Sequence, residues 1–179
     1  MIYITFNGIT SKEMGVYWKS ADRTLLPAKR VVRYEIPGKD GYYESQSDTY
    51  DNRAISGVIS FMGAERDFPT LRAKARKVAQ WLSGSGQLVF SDEPALAYQA
   101  KVISGVPLEQ LARVGSCSVT FDCQPFAQSI NYNQSTNLDS VLPATIEIKT
   151  NGTQKAPCII RVVAKTNINN LAITVLSRR

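Results

Sequence analysis

The chain of 179 residues contains no histidine. That absence removes Ser-His-Asp and Cys-His catalysis, and imidazole metal ligation with them. Cysteine is scarce: Cys117, Cys123 and Cys158 are an odd number, and their spacing matches no zinc site. Cys117 and Cys123 fall on one face of one expected strand. Six strand residues span about 20 Å, too far for a bridge, so these thiols read as small buried hydrophobes. No apolar run approaches the roughly 18 residues of a membrane span. Met1 leads straight into Ile2, Tyr3 and Ile4, a strand pattern without the basic start of a signal peptide. Folding in a cytoplasm is the expectation. The net charge is +6, yet the basic residues are scattered. No dense Lys/Arg run or basic–aromatic interleaving marks a nucleic-acid platform. The charge fits a solvated basic surface or a polyanion nearby, but not sequence-specific DNA recognition.

What the chain does contain is one clear helix. Leu71, Ala75, Val78, Ala79 and Leu82 recur at helical spacing and form one apolar stripe. Arg72, Lys74, Arg76 and Lys77 occupy the other faces. Pro69 suits the first turn, where its missing N–H is not needed. Asp67 stands where its carboxylate can cap free N–H groups, and Gly84 follows where a helix stops. Trp81 at the helix end is expected to pack beside Leu82. The Ser83–Gly86 run follows this helix, whereas a phosphate-cradling loop precedes one. It is a turn. A rod with one apolar side needs a flat apolar surface, and the rest of the chain reads as strands.

Those strands alternate. Ile2, Ile4 and Phe6 make the first, stopped by the Asn7-Gly8 turn signal. Met14 to Lys19 reads as a short second strand anchored by Trp18. Val32, Tyr34 and Ile36 point one way and Arg33 and Glu35 the other, until Pro37-Gly38. Ile55, Ile59 and Phe61 share a face within Ala54 to Met62. Gln87 to Ser91 and Leu96 to Val102 flank the Asp92-Glu93-Pro94 turn. Val106 to Arg113 reads as a bulged edge strand. Cys117, Val119, Phe121 and Cys123 alternate cleanly with Ser118, Thr120 and Asp122.

Two stretches differ in composition. Pro37 to Asn52 is polar and glycine-punctuated, with Tyr42, Tyr43 and Tyr50, four acids and one lysine. It reads as a long exposed loop. Such loops are often functional, and exposed tyrosines favour protein contacts. Contact with another copy of the chain is the sharper reading. Tyr42, Tyr43, Glu44 and Tyr50 on the arm, and Arg72 and Arg76 on the helix, are the candidate residues. Gln128 to Asp139 is rich in Asn, Gln and Ser and reads as a linker. Beyond it, Ala144 to Ile148, Cys158 to Lys165 and Leu171 to Leu176 suggest three strands. Three strands in so short a stretch make a poor domain alone. They read as the opening half of a sandwich whose remainder is missing or supplied by another chain.

Taken in order, VVRYEIPGKDGYYESQSDTYDNRAISGVISF, VAQWLSGSGQLVFSDEPALAYQAKVIS and SCSVTFDCQPFAQS resemble the N-terminal domain of phage distal tail proteins. The resemblance covers about Met1 to Gln128 through PG-x-DG, YDNR, the helix ending in W-L, a strand with DEP, and F-x-C-x-P-F. Asn137 to Arg179, through NGTQKAPCIIRV, resembles the start of that family's galectin-like second domain. The resemblance implies a mainly β (α+β) chain. An N-terminal β-sandwich or barrel-like domain with one α-helix packed on it occupies 1–128. A linker, 129–136, leads to a partial C-terminal β-sandwich, 137–179. It implies a hexameric ring joining the tail tube protein to a tail-tip or baseplate hub protein, with receptor-binding proteins nearby and DNA passing through the channel. It implies a virion tail tip assembled in the host cytoplasm, with no membrane, no cofactor and no catalysis.

Two other readings stand beside it. A carbohydrate-binding sandwich would need a concave aromatic site, for which Tyr42, Tyr43 and Tyr50 are the one available cluster. An enzyme would rest on Asp92 and Glu93, which suit a turn better.

Overall fold

The computed structural model describes residues 2–45, 49–63, 67–107, 115–131, 135, 145–148, 152–154, 156–157, 159–164 and 170–175. The chain separates into two compact units, 1–135 and 136–179.

In the first unit, β1 (Ile4–Phe6) and β2 (Ile9–Thr10) form a hairpin with Phe6 opposite Ile9. Asn7 and Gly8 both take positive φ, 51° and 79°, as a two-residue hairpin loop requires. β3 (Val16–Arg23) and β6 (Arg53–Phe61) follow, with β7 (Ser85–Phe90), β8 (Leu96–Val102) and β9 (Ser116–Cys123) after the helix. The sheet order is β2-β1-β7-β8-β9-β6-β3, and every pairing is antiparallel. A bridge between Ile2 and Trp18 brings the two ends of this order together, so the sheet curls towards a barrel. Arg23 fastens the far end of β3 to the turn after β7. Its guanidinium bonds Asp92, lies 3.7 Å from Glu93 and stacks 4.5 Å from the Phe90 ring centroid.

The alternation read from the sequence sets which face is core. Cys117, Val119, Phe121 and Cys123 of β9 are buried, as are Ile55 and Ile59 of β6 and Leu88 and Phe90 of β7. Trp18 lies over Gly57 on β6, where any Cβ would collide with the indole ring. Helix α1 (Phe68–Leu82) joins the same core through Ala75, Val78, Trp81 and Leu82. The Trp81 Nε1–H donates to the Phe6 carbonyl at 3.0 Å, tying the last helical turn to β1. Asp67 caps the other end by accepting from the Thr70 N–H at 3.2 Å. The fold is the expected mainly β, barrel-like domain with one helix.

Several local readings are corrected. Ala79 is exposed, and Trp81 takes the buried position that the stripe assigned to it. β3 runs to Arg23 rather than Lys19, because ladder bonds to β6 continue through a bulge between Ser20 and Asp22 without needing apolar side chains. Gln128–Ser129, read as linker, forms β10 against β8. Residues 106 and 107 lie in no strand, and 108–113 lie outside the described residues. In the second unit, the described residues 145–148, 159–164 and 170–175 also lie in no strand. Ile148, Ile159, Val163 and Val175 there are exposed. Cys158 lies outside the described residues.

Candidate assembly interface

The stretch read as a loop is the return strand of a hairpin. β4 (Val32–Glu35) pairs with β5 (Tyr42–Ser45) in a two-stranded sheet separate from the barrel. Pro37 and Gly38 make the turn. Pro37 presets the first central position, Gly38 supplies φ +82° at the second, and the Lys39 N–H donates to the Ile36 carbonyl at 3.1 Å. This is type II turn chemistry. Gly41, at φ +84°, then turns the chain into β5. Closer to the barrel, the Arg30 N–H donates to Thr49 O and the Asp51 N–H to Ala28 O, each at 2.9 Å, and Lys29 bridges Tyr50. Every residue from Val31 to Glu44 is exposed.

The root of the hairpin is firmly held. Tyr50 meets Phe126 edge-on, with ring centroids 5.0 Å apart. Arg53, the first residue of β6, donates from Nε to Pro125 O at 2.8 Å and from Nη1 to Thr24 O at 2.9 Å. Its guanidinium also stacks 5.1 Å from the Tyr98 centroid. The Asn52 side chain donates to Asp122, which also pairs with Lys101 at 3.3 Å. The loops on either side of the hairpin are thereby fastened to the ends of β6 and β9.

Further out, the charges are largely self-satisfied. Arg33 lies 3.7 Å from Glu44 and stacks 4.4 Å from the Tyr42 centroid. Lys39 bonds the Tyr43 hydroxyl and lies 4.4 Å from its ring centroid. Arg30 pairs with Asp51 at 2.9 Å. Four acids made the arm look strongly negative, but β4 and the residues leading into it supply Arg33, Lys29 and Arg30. Residues 28–52 hold four cations and five carboxylates.

The candidate residues therefore occupy three places. Tyr42, Tyr43 and Glu44 are on the hairpin, Tyr50 is at its root, and Arg72 and Arg76 are on the exposed side of α1. Tyr42 and Tyr43, successive residues of β5, fall on opposite faces of the hairpin, and Tyr50 lies at its root. Asp92 and Glu93 serve the Arg23 clasp, and the Asp92 carboxyl is held below its usual range chiefly by the Arg23 hydrogen bond. Burial pushes the Cys117 thiol up and the Cys123 thiol to about 12, which disfavours the reactive thiolate at both. Among the described residues no His/Cys/Asp/Glu group fits a metal. Arg53 and Phe126 were missed by pattern reading, because single residues that brace a root have no period. The signal that β5 exists is the Pro37-Gly38 turn with chain of similar length on either side.

The first unit is thus a curled antiparallel sheet with one helix packed on it and an outlying hairpin. The model of the phage tail protein RIFT-related domain matches residues 9–123, and the chain belongs to that family. By family it is a phage tail protein. Its fold is also similar to the crystal structure of SPP1 Dit (gp 19.1), described as a paradigm of the hub adsorption apparatus in phages infecting Gram-positive hosts. The TM-score is 0.56 at 17% identity, covering 72% of this chain and 52% of that one. The chain thus spans about half the length of that protein. No curated protein matches the chain.

Proposed function

We propose that this chain is a distal tail protein: six copies close a ring that joins the tail tube to the tail-tip or baseplate hub. DNA passes through its channel without sequence-specific binding. The observation that carries this reading is family membership over residues 9–123 together with a braced hairpin whose residues from Val31 to Glu44 are all exposed. A ring needs unlike surfaces on one chain that meet on rotation and close. The hairpin with Tyr42, Tyr43 and Glu44 is one such surface, and Tyr50 anchors its root. Arg72 and Arg76, on a helix with four cations and no acid, offer a complement to hairpin carboxylates on the next copy.

On this reading the partners are further copies, the tube protein, the hub protein and receptor-binding proteins. The chain resides in the virion tail tip after assembly in the host cytoplasm. Nothing in that role calls for catalysis or a cofactor. On this reading the unit 1–135, β10 included, forms the ring domain, and 136–179 opens a second sandwich, whose apolar alternation needs sheet partners.

The test is mass measurement and negative-stain imaging of the purified chain. Six-fold rings are expected. Replacing Gly41 to Asp48 with a short Gly-Ser linker is expected to leave a folded monomer. The same oligomer at the same concentration would reduce the arm to a loop.

A further inference from the structure

The register of the hairpin sorts its side chains onto two unlike faces. Arg33 stands opposite Glu44, Tyr34 opposite Tyr43, and Glu35 opposite Tyr42. Directly opposed residues share a face, and neighbours along a strand do not. Val32, Tyr34 and Tyr43 therefore form one row, which Ile36 continues just past β4. Arg33, Glu35, Tyr42 and Glu44 form the other. The first row is aromatic and aliphatic, yet its four side chains are 44%, 57%, 52% and 48% exposed for Val32, Tyr34, Tyr43 and Ile36. Lys39 lies over the Tyr43 ring, and Ser45 stands opposite Val32 at the end of this row. In the second row Arg33 sits between Tyr42 and Glu44 and has both as partners. One face has its polar partners already, and the other lacks apolar ones.

We propose that the Val32–Tyr34–Ile36–Tyr43 face is buried against a second copy of this chain, while the Arg33–Glu35–Tyr42–Glu44 face stays at the solvated rim. The inference rests on the ring reading above and specifies which side of the arm makes the contact.

Three observations favour a second copy as the occupant. From Ala28 to Ile36 the arm extends eight residue steps, about 26 Å at about 3.3 Å each. A unit of this size has a radius of gyration of about 14 Å, so the arm is long enough to lie across a neighbouring domain. Its exposed apolar face amounts to roughly 400 Å², counting a whole tyrosine as about 150–250 Å². That is about half of one partner's share in a standard interface. Such an area is too small to hold two free copies alone, but it suits a ring in which each copy grips two neighbours. Finally, a heterologous contact needs a second, different patch on the same chain. Leu25 and Leu26, between β3 and β4, are 93% and 67% exposed and supply apolar surface outside the hairpin.

The experiment is light scattering across a concentration series on the wild type, Tyr34→Ser with Tyr43→Ser, Arg33→Ser with Glu35→Ser, and the arm-shortened chain. All the substituted positions are exposed and outside the barrel core, and thermal melts check that each variant folds. The apolar-face variant is expected to need at least about tenfold more protein to assemble, as buried aromatic anchors dominate contacts. The rim variant is expected to shift the requirement by no more than about threefold. Loss of assembly in the rim variant with retention in the apolar one overturns the assignment, and so does equal loss in both. Retention in both, with loss in the shortened chain, overturns the face assignment but leaves the arm as the contact. Retention in the shortened chain as well, or a wild type monomeric throughout, overturns the arm reading with it.

Discussion

At the scale of single residues, Arg23 and Asp92 show how a turn signal becomes a closure device. Asp92-Glu93-Pro94 was readable as a turn. Its role was not, because Arg23 is 69 residues away and only the curl of the sheet brings it near. The Asp92 carboxyl lies below its ordinary value of 3.8 because Arg23 bonds and attracts its charged form. A depressed folded value means the contribution to stability is complete above about pH 4 and is lost as pH falls through the folded value. The Asp92 side chain is 38% exposed. Solvent screening therefore holds the pair to no more than about 1 kcal/mol. Asp92→Asn is expected to lower the melting temperature slightly at pH 7, with the gap from wild type narrowing between pH 5 and pH 3. Parallel melts at these values check it, and a gap that widens towards acid would contradict the clasp. Arg53 teaches the same lesson: its partners Thr24 and Pro125 come from two distant loops, and no local pattern announces them.

Elements divide by how their stability is encoded. Helix α1 was legible because its apolar period, Asp67 cap and Pro69 all act within a few residues. The β9 strand was legible because one of its faces is buried, so the pattern alternates. β5 was not legible. Tyr42, Tyr43 and Glu44 are all exposed, so no buried face imposes an alternation, and the pairing is set by the Pro37-Gly38 turn and by cross-strand partners. The second prediction belongs to the helix. Trp81 is 6% exposed, and its Nε1–H is bonded to Phe6 O. Trp81→Ala removes a buried indole and leaves the Phe6 carbonyl without its donor, which should cost about 3–5 kcal/mol. Trp81→Phe keeps much of the volume and loses the hydrogen bond. It should cost distinctly less. Chemical denaturation of both variants measures this ordering, and equal costs would show that packing contributes little at this site.

For the whole molecule, the question is how far the barrel depends on the second unit. Every residue of the buried core lies between Ile4 and Cys123. The last strand, β10, ends at Ser129, within the unit that closes at Ser135. The described residues after position 144 are exposed. The composition shift after Gln128 marked this change, but it placed the boundary on a residue that belongs to the sheet, since a two-residue strand has no periodicity to detect. The three apolar stretches beyond it were legible as strand-forming. Strand propensity describes a side chain's fit to a pleated, half-buried surface, and without neighbouring strands that surface does not exist. The barrel should therefore fold without the second unit. A chain ending at Ser135 is expected to unfold in one cooperative transition with a midpoint within about 2 °C of the full chain's. In a domain of this size about 1 kcal/mol moves the midpoint by roughly 3–5 °C. Differential scanning calorimetry of both chains makes the comparison. A midpoint lower by more than about 5 °C would mean that residues 136–179 stabilise the barrel by at least about 1 kcal/mol, and the two units would then have to be treated as one folding unit.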